Sequence, residues 1–256
     1  MSRIRLLRDG AVGRIILARP EKLNALDGVT AEELFAALAQ FEADPHCRVV
    51  HLGAEGEDFC IGADLTALEQ MLDAGAEVHR EDAESLGRVL LAMRALMKPV
   101  VCTVRGRALG AGVALVLACD VVLAHEGAEL GFPEVRLGFV PAMGMTMLRR
   151  SVGEKHAADL LLSGRIISAE EAERIGLVSR VVPAASFDED VDATLQQISL
   201  APATAIALTK WLFHKLDSLS FEDGIAAGVV TNVESRATED FKAAVRRFTQ
   251  RGPGPP

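Results

Sequence analysis

Short apolar runs recur along the first two-thirds of the chain, at residues 13–18, 48–53, 100–104, 120–124 and 178–182. They are rich in Val and Ile and apolar on both faces, the pattern of strands in a buried parallel sheet. Helical periodicity separates them. Leu34, Phe35, Leu38 and Phe41 form one stripe over 31–41. Leu86, Val89, Leu90, Met93 and Met97 form another over 85–97, which Pro99 stops. Ser168 and Glu171 have the spacing of a capping box, with Gly176 as the matching C-terminal cap. Strands alternating with helices predict an α/β fold. Three of the strands are followed by a Gly-containing turn and a second short apolar piece, at 58–60, 106–109 and 130–132. That repeat suggests a β-β-α unit, which can coil into a spiral. After residue 182 only helical patterns remain, at 191–200, 203–216, 221–233 and 239–248, the last with a stripe of Phe241, Ala244, Val245 and Phe248. The chain therefore divides into an α/β core, residues 1–185, and a helical C-terminal region, residues 186–256. Residues 251–256 are expected to fray. Residues 66–84 are acidic and weakly periodic, either a mobile helix-loop beside a site or a plain surface insertion.

Composition narrows the class. Of 256 residues, 50% are apolar and 25% charged, with a net charge of −9, so disorder is excluded and general nucleic-acid affinity is disfavoured. Four Cys without CxxC spacing make no disulfide scaffold and read as buried free thiols. The longest strongly apolar uncharged stretch, 108–119, is far shorter than the ~20 residues of a membrane span. The N-terminus alternates Arg with Leu and Ile, unlike a signal peptide, so a cytoplasmic protein is expected. Six scattered His give no metal-binding spacing, and no GxSxG is present. Gly110-Ala111-Gly112 begins a dinucleotide fingerprint, but its third glycine would fall at Leu115. The chain has no Tyr, which removes one kind of general acid.

Two small-residue turns, Gly62-Ala63-Asp64-Leu65 and Leu109-Gly110-Ala111-Gly112, follow strands and precede helices. Such turns leave backbone N–H groups uncovered, able to hold an oxyanion. A carboxylate follows a third strand, in Phe132-Pro133-Glu134. At these residues the chain resembles the crotonase (enoyl-CoA hydratase/isomerase) superfamily. Further landmarks are Arg19-Pro-Glu-Lys-Leu-Asn-Ala-Leu26, Lys98-Pro-Val100, Ala118-Cys-Asp120 and Ile175-Gly-Leu-Val178. The resemblance implies a crotonase-like β-β-α spiral with a helical C-terminal trimerisation region, assembled as a homotrimer or a dimer of trimers. It implies an acyl-CoA thioester as substrate and partner, with no cofactor beyond the CoA of that substrate; the His spacing, the acidic balance and the short apolar runs add the expectation of no metal, no nucleic acid and no membrane.

The same resemblance assigns roles. The N–H groups of Ala63 and Ala111 would hold the thioester oxygen, and Glu134 would be the acid/base. Lys22, Leu23, Asn24 and Ala25, with Ala63, Asp64, Leu65, Thr66 and Ala111, would bind CoA and substrate. Two positions depart from the family. Ala111 replaces the commoner Gly, and is acceptable only if its backbone avoids Gly-only conformations. Ala114 stands where the family's hydratases place a second glutamate, and Ala142 offers no carboxylate at the position some dienoyl isomerases use. One carboxylate suffices to move a proton between two carbons, so the site favours double-bond isomerisation. The alternatives are a hydratase that recruits another acid, such as Glu69, Asp73, Glu77, Glu81, Asp82 or Glu84, or a non-catalytic acyl-CoA binder. Leu68, Met71, Met143 and Met145 are either an acyl pocket or ordinary core. Residues 1–24 and 232–256 carry net +4 and +2, which leaves −15 between them, and these basic ends are candidates to face the CoA phosphates.

Overall fold

The computed structural model describes residues 2–251. Strands β1 (Ile4–Asp9) and β2 (Val12–Leu17) form a hairpin, followed by α1 (Gly28–Ala43), β3 (Val49–Ala54), α2 (Leu65–Gln70) and α3 (Ala76–Ala95). Next come β4 (Val100–Val104), β5 (Arg107–Leu109), α4 (Ala111–Ala118), β6 (Val121–His125), β7 (Glu129–Gly131), α5 (Ala142–Ser151) and α6 (Glu154–Ser163). The chain continues through β8 (Ile166–Ser168), α7 (Ala169–Arg174), β9 (Arg180–Val182), α8 (Phe187–Leu200), α9 (Ala203–Lys215), α10 (Phe221–Ala237) and α11 (Glu239–Arg251).

A six-stranded sheet has the order β1-β2-β3-β4-β6-β9, parallel except for the β1–β2 hairpin. A smaller sheet, β5-β7-β8, is extended by a bridge from Cys60 to Ala108. The Cys60 bridge, β5 and β7 are the short second apolar pieces expected after β3, β4 and β6, and β8 joins them from later in the chain. Each turn of the spiral thus sends one strand to the large sheet and one short segment to the small one.

Both faces of the large sheet are covered, which is why its strands read as continuous apolar runs. Ile15, Leu17, Val50, Leu52 and Cys102 pack with Leu34, Leu38 and Phe41 of α1, Val89 and Met93 of α3, and Leu115 of α4. Val12, Val49, Val101, Leu123 and Val182 pack under Phe187, Val191 and Leu195 of α8. Helix α8 therefore completes the core, and the peripheral helices begin after Leu200. Strand β1 escaped the hydrophobic pattern because it is an edge strand of which only Ile4 is buried. Residues 66–84 are mostly helix, as α2 and the first turns of α3, with Gly75 as the N-cap between them. Half of the expected capping box forms: Ser168 Oγ accepts from Glu171 N–H at 3.3 Å, while the Glu171 carboxylate pairs with Arg165 instead.

Helix α9 is pinned to the core by the buried Lys210. Its Nζ donates to Met93 O (2.9 Å), Lys98 O (3.0 Å) and Asp120 Oδ2 (2.7 Å). Beyond this anchor, α9–α11 expose Phe213, Phe221, Ile225, Val229, Val233 and Phe248, and the stripe on α11 faces out rather than in. Among the described residues no helix is long and apolar enough to cross a membrane. The fraying expected at 251–256 falls, beyond Arg251, outside the described residues.

Candidate active site

The two small-residue turns lie side by side. An ideal Cβ on Gly62 would stand 3.0 Å from Leu109 O and 3.5 Å from Ala111 N, and one on Gly112 would stand 2.3 Å from Cys60 O. Only glycine permits this approach, so the motif spacing is steric in origin. Ala63 forms a parallel bridge with Leu26, in which Leu26 N–H donates to Gly62 O (2.8 Å) and Asp64 N–H donates to Leu26 O (2.7 Å). Those bonds use the peptides flanking Ala63, so its own N–H points the other way. Ala111 opens α4, whose first internal bond is Ala114 N–H to Gly110 O (3.1 Å), so Ala111 N–H is one of the unpaired donors of a helix start. Within the described residues neither N–H donates a hydrogen bond. The positive φ of this turn falls on Gly110 (54°) and not on Ala111, so an alanine is unstrained there.

Glu134 follows β7 in a short 3-10 turn, Pro133–Leu137. The end of β7 just before this turn is tied to the α4 start by Gly110 N–H, which donates to Gly131 O (2.9 Å). The Glu134 carboxylate lies directly over Gly110, where an added Cβ would meet Oε1 at 2.6 Å. Oε2 is buried without a hydrogen-bond partner. Burial raises the Glu134 carboxyl above its usual range, opposed only by its own backbone N–H. A carboxylate withdrawn from water, with a free oxygen and two unpaired N–H groups close by, is suited to shuttling a proton next to a developing oxyanion.

Ala114 is buried within α4, so no carboxylate occupies that side of the site. Of the acids in residues 66–84 only Asp82 is half-buried, with its carboxyl raised by burial; Glu69, Asp73, Glu77, Glu81 and Glu84 are exposed. None supplies a partner to the free Glu134 oxygen. Met143 lines a cavity of about 360 Å³ with Leu90, Leu91 and Met147, between α3 and α5. Met145 packs against the core, and Leu68 and Met71 are half-buried at α2.

The segment from Arg19 to Asp27 runs beside the Ala63 turn. Leu23 and Asn24 both adopt left-handed backbone, at φ 51° and 55°, which costs a non-glycine residue about 1–2 kcal/mol. Asn24 offsets this with its side chain, accepting from Arg19 N–H (2.9 Å) and donating to Glu55 O (2.8 Å) and Asp58 O (2.9 Å). Lys22 and Leu23 are exposed while Ala25 is buried, so this segment offers mainly backbone to a ligand. The arginines of the basic N-terminal end have acidic partners within the chain. Arg3 pairs with Asp27, Arg5 with Glu55, Arg8 with Asp44, and Arg14 with Asp192, each within 3.4 Å. The fold consumes these cations internally, and Lys22 is the one of residues 2–24 without an ion-pair partner among the described residues. Sequence reasoning also missed Arg19. It is buried, and its guanidinium donates to Ala25 O, Asp27 Oδ2 and Asp64 Oδ2. Burial pushes the Asp64 carboxyl up, but Arg19 and the N–H groups of Thr66 and Ala67 outweigh it and hold it below its usual value.

A two-layered β-β-α spiral with paired backbone donors at strand-to-helix turns and a half-buried glutamate defines a class of proteins that stabilise an oxyanion. Residues 8–255 match the model of the enoyl-CoA hydratase/isomerase family, and the chain belongs to that family. A Thermus thermophilus protein named as an inferred enoyl-CoA hydratase is 39% identical over 96% of this chain and 98% of its own. The (E)-benzylidenesuccinyl-CoA hydratase of Thauera aromatica is 31% identical over 94% and 93%. The crystal structure of an enoyl-CoA hydratase from Mycobacterium smegmatis superposes with a TM-score of 0.93 at 29% identity, covering 97% of this chain and 96% of that one. The chain is thus an acyl-CoA enzyme of the hydratase/isomerase type.

Proposed function

We propose that the protein isomerises a 3-enoyl-CoA to a 2-enoyl-CoA through a thioester enolate. The observation that carries this reading is the buried, unpartnered Glu134 oxygen beside the unpaired N–H groups of Ala63 and Ala111, with alanine at 114. In this mechanism Glu134 takes a proton from C2 of the substrate. The electrons move onto the thioester oxygen, where the two N–H groups stabilise the negative charge. Glu134 then returns the proton at C4, and the double bond shifts into conjugation. Its raised pKa brings the carboxylate closer to the basicity such a transfer needs. The donors are backbone groups, so the chemistry calls for neither a metal nor a cofactor apart from the CoA carried by the substrate. Lys22, Leu23 and Ala25, with Ala63 to Thr66, line the path assigned to CoA.

The names of the relatives favour a second reading, hydration of a 2-enoyl-CoA, with Glu134 and a group other than residue 114 handling the water. Wild type and Glu134→Gln, each given a 3-enoyl-CoA and a 2-enoyl-CoA, separate the two. Isomerisation lost in Glu134→Gln supports the proposal; fast hydration by wild type replaces it with the second reading. Binding without turnover of either substrate leaves a non-catalytic acyl-CoA binder. We also propose that the exposed apolar face of α9–α11 is covered by further copies of the chain, as a trimer or a dimer of trimers, which sedimentation would test. A monomer would refute it.

A further inference from the structure

We propose that Arg19 is a positioning residue for the oxyanion site, acting through Asp64 to fix the direction of the Ala63 N–H. The inference rests on the reading that this N–H holds the thioester oxygen. Ala63 has only a methyl group, so nothing in its side chain steers its backbone. Its N–H direction is set by the flanking peptides, and both are tied to Leu26, at 2.8 Å from Gly62 O and 2.7 Å from Asp64 N. Leu26 in turn belongs to the segment that Arg19 anchors. Nη1 of Arg19 donates to Ala25 O (3.1 Å) and Asp27 Oδ2 (3.0 Å), while Nη2 crosses to Asp64 Oδ2 (3.1 Å). One guanidinium thus closes a ring through both segments. The other Asp64 oxygen accepts from Thr66 N–H (3.0 Å) and Ala67 N–H (3.4 Å), which locks the start of α2 to the same carboxylate.

Burial sharpens the geometry. The Arg19 and Asp64 side chains are only 8% and 9% exposed. A buried pair carries a desolvation cost and is a poor device for stability alone, but it admits few alternative geometries. The planar guanidinium satisfies three acceptors at fixed angles, which an ammonium cannot reproduce. Lys22 to Ala25 lie on the segment so held. The part of the chain assigned to CoA and the N–H assigned to its thioester oxygen therefore move as one unit.

The test uses acetoacetyl-CoA, whose ultraviolet enolate band, formed by loss of its C2 proton to buffer, reports the strength of the oxyanion donors. The variants are Arg19→Gln, Arg19→Lys and Asp64→Asn, alongside steady-state kinetics on the enoyl-CoA that wild type turns over. Asp64→Asn keeps an oxygen to cap α2 while removing the charge, so it keeps the proposal testable if Arg19→Gln fails to fold. Arg19→Gln and Asp64→Asn are expected to lower kcat about 10- to 100-fold, the effect of a sub-ångström to ångström misplacement. KM should rise as well, because the CoA-binding segment is loosened, but by less than kcat falls, because the N–H stabilises charge that develops only in the transition state. The enolate band of the bound ligand should weaken in parallel, and Arg19→Lys should recover part of both. Folded variants with a wild-type enolate band overturn the proposal, whatever their kcat. A wild type that binds acetoacetyl-CoA without any enolate band overturns the oxyanion reading itself, and the role of Arg19 with it. A band present in wild type and lost in the variants supports Arg19 even if no enoyl-CoA is turned over.

Discussion

Gly110→Ala tests whether the Glu134 carboxylate works from the position the fold gives it. Gly110 sits at φ 54° and ψ −117°, a conformation that costs a residue with a Cβ about 1–3 kcal/mol. The new methyl group would stand 2.6 Å from Glu134 Oε1 and 3.0 Å from its Cδ. The carboxylate must therefore retreat by roughly 1 Å to reach ordinary van der Waals separation. Displacing a proton-transfer group by that distance lowers turnover by about 10²-fold. The expected variant unfolds about 2 kcal/mol more easily, with kcat down roughly 100-fold and KM almost unchanged. Steady-state kinetics and denaturant unfolding read the two effects separately. Gly10→Ala is the control: its φ is also positive, at 56°, but nothing lies within 4 Å of the added carbon, in a hairpin remote from the site. It should lose about 1 kcal/mol of stability and no activity. A Gly110→Ala protein with kcat within twofold of wild type would refute the catalytic placement of Glu134.

Glu134→Gln should abolish turnover yet raise the unfolding midpoint at neutral pH, because a carboxyl whose folded pKa is raised destabilises the fold once ionised; a lowered midpoint would contradict the burial argument. The same raised pKa should shift the acid limb of the kcat/KM profile above the ordinary carboxylate range, read from a pH–rate series. Lys210→Met removes the ammonium partner of the Asp120 carboxylate, which keeps Val100 N–H and His214, and is expected to cost about 2 kcal/mol in denaturant unfolding, with α9 loosened first in hydrogen exchange. His51 is buried beside Arg14 and its pKa falls to about 4. The unfolded chain then binds a proton that the folded chain does not, so stability should fall as pH drops from about 6.5 toward 4, by up to about 3 kcal/mol. That component should vanish in His51→Gln.

Apolar patterning alone located five of the six strands of the large sheet, helices α1 and the second half of α3 that cover it, and the β-β-α repeat, because strands buried on both sheet faces are mostly apolar. Motif spacing also brought Gly62, Ala63, Gly110, Ala111 and Glu134 together as a set, since close backbone approach demands small residues at those positions. Tertiary structure decided the rest. Strand β1 and the three-residue strand β8 carry too few buried positions to leave a period in the sequence. Net charge showed a basic N-terminal end but not its partners, which are Asp27, Glu55, Asp44 and Asp192, none of them a sequence neighbour of its arginine. Arg19 and Asp64, 45 residues apart, meet only when the first and second turns of the spiral stack. The sequence determined which residues are buried and which turns are tight, because those are local properties of side-chain size and polarity. Which charges meet, and which way an N–H points, are long-range properties that only the stacked spiral could set.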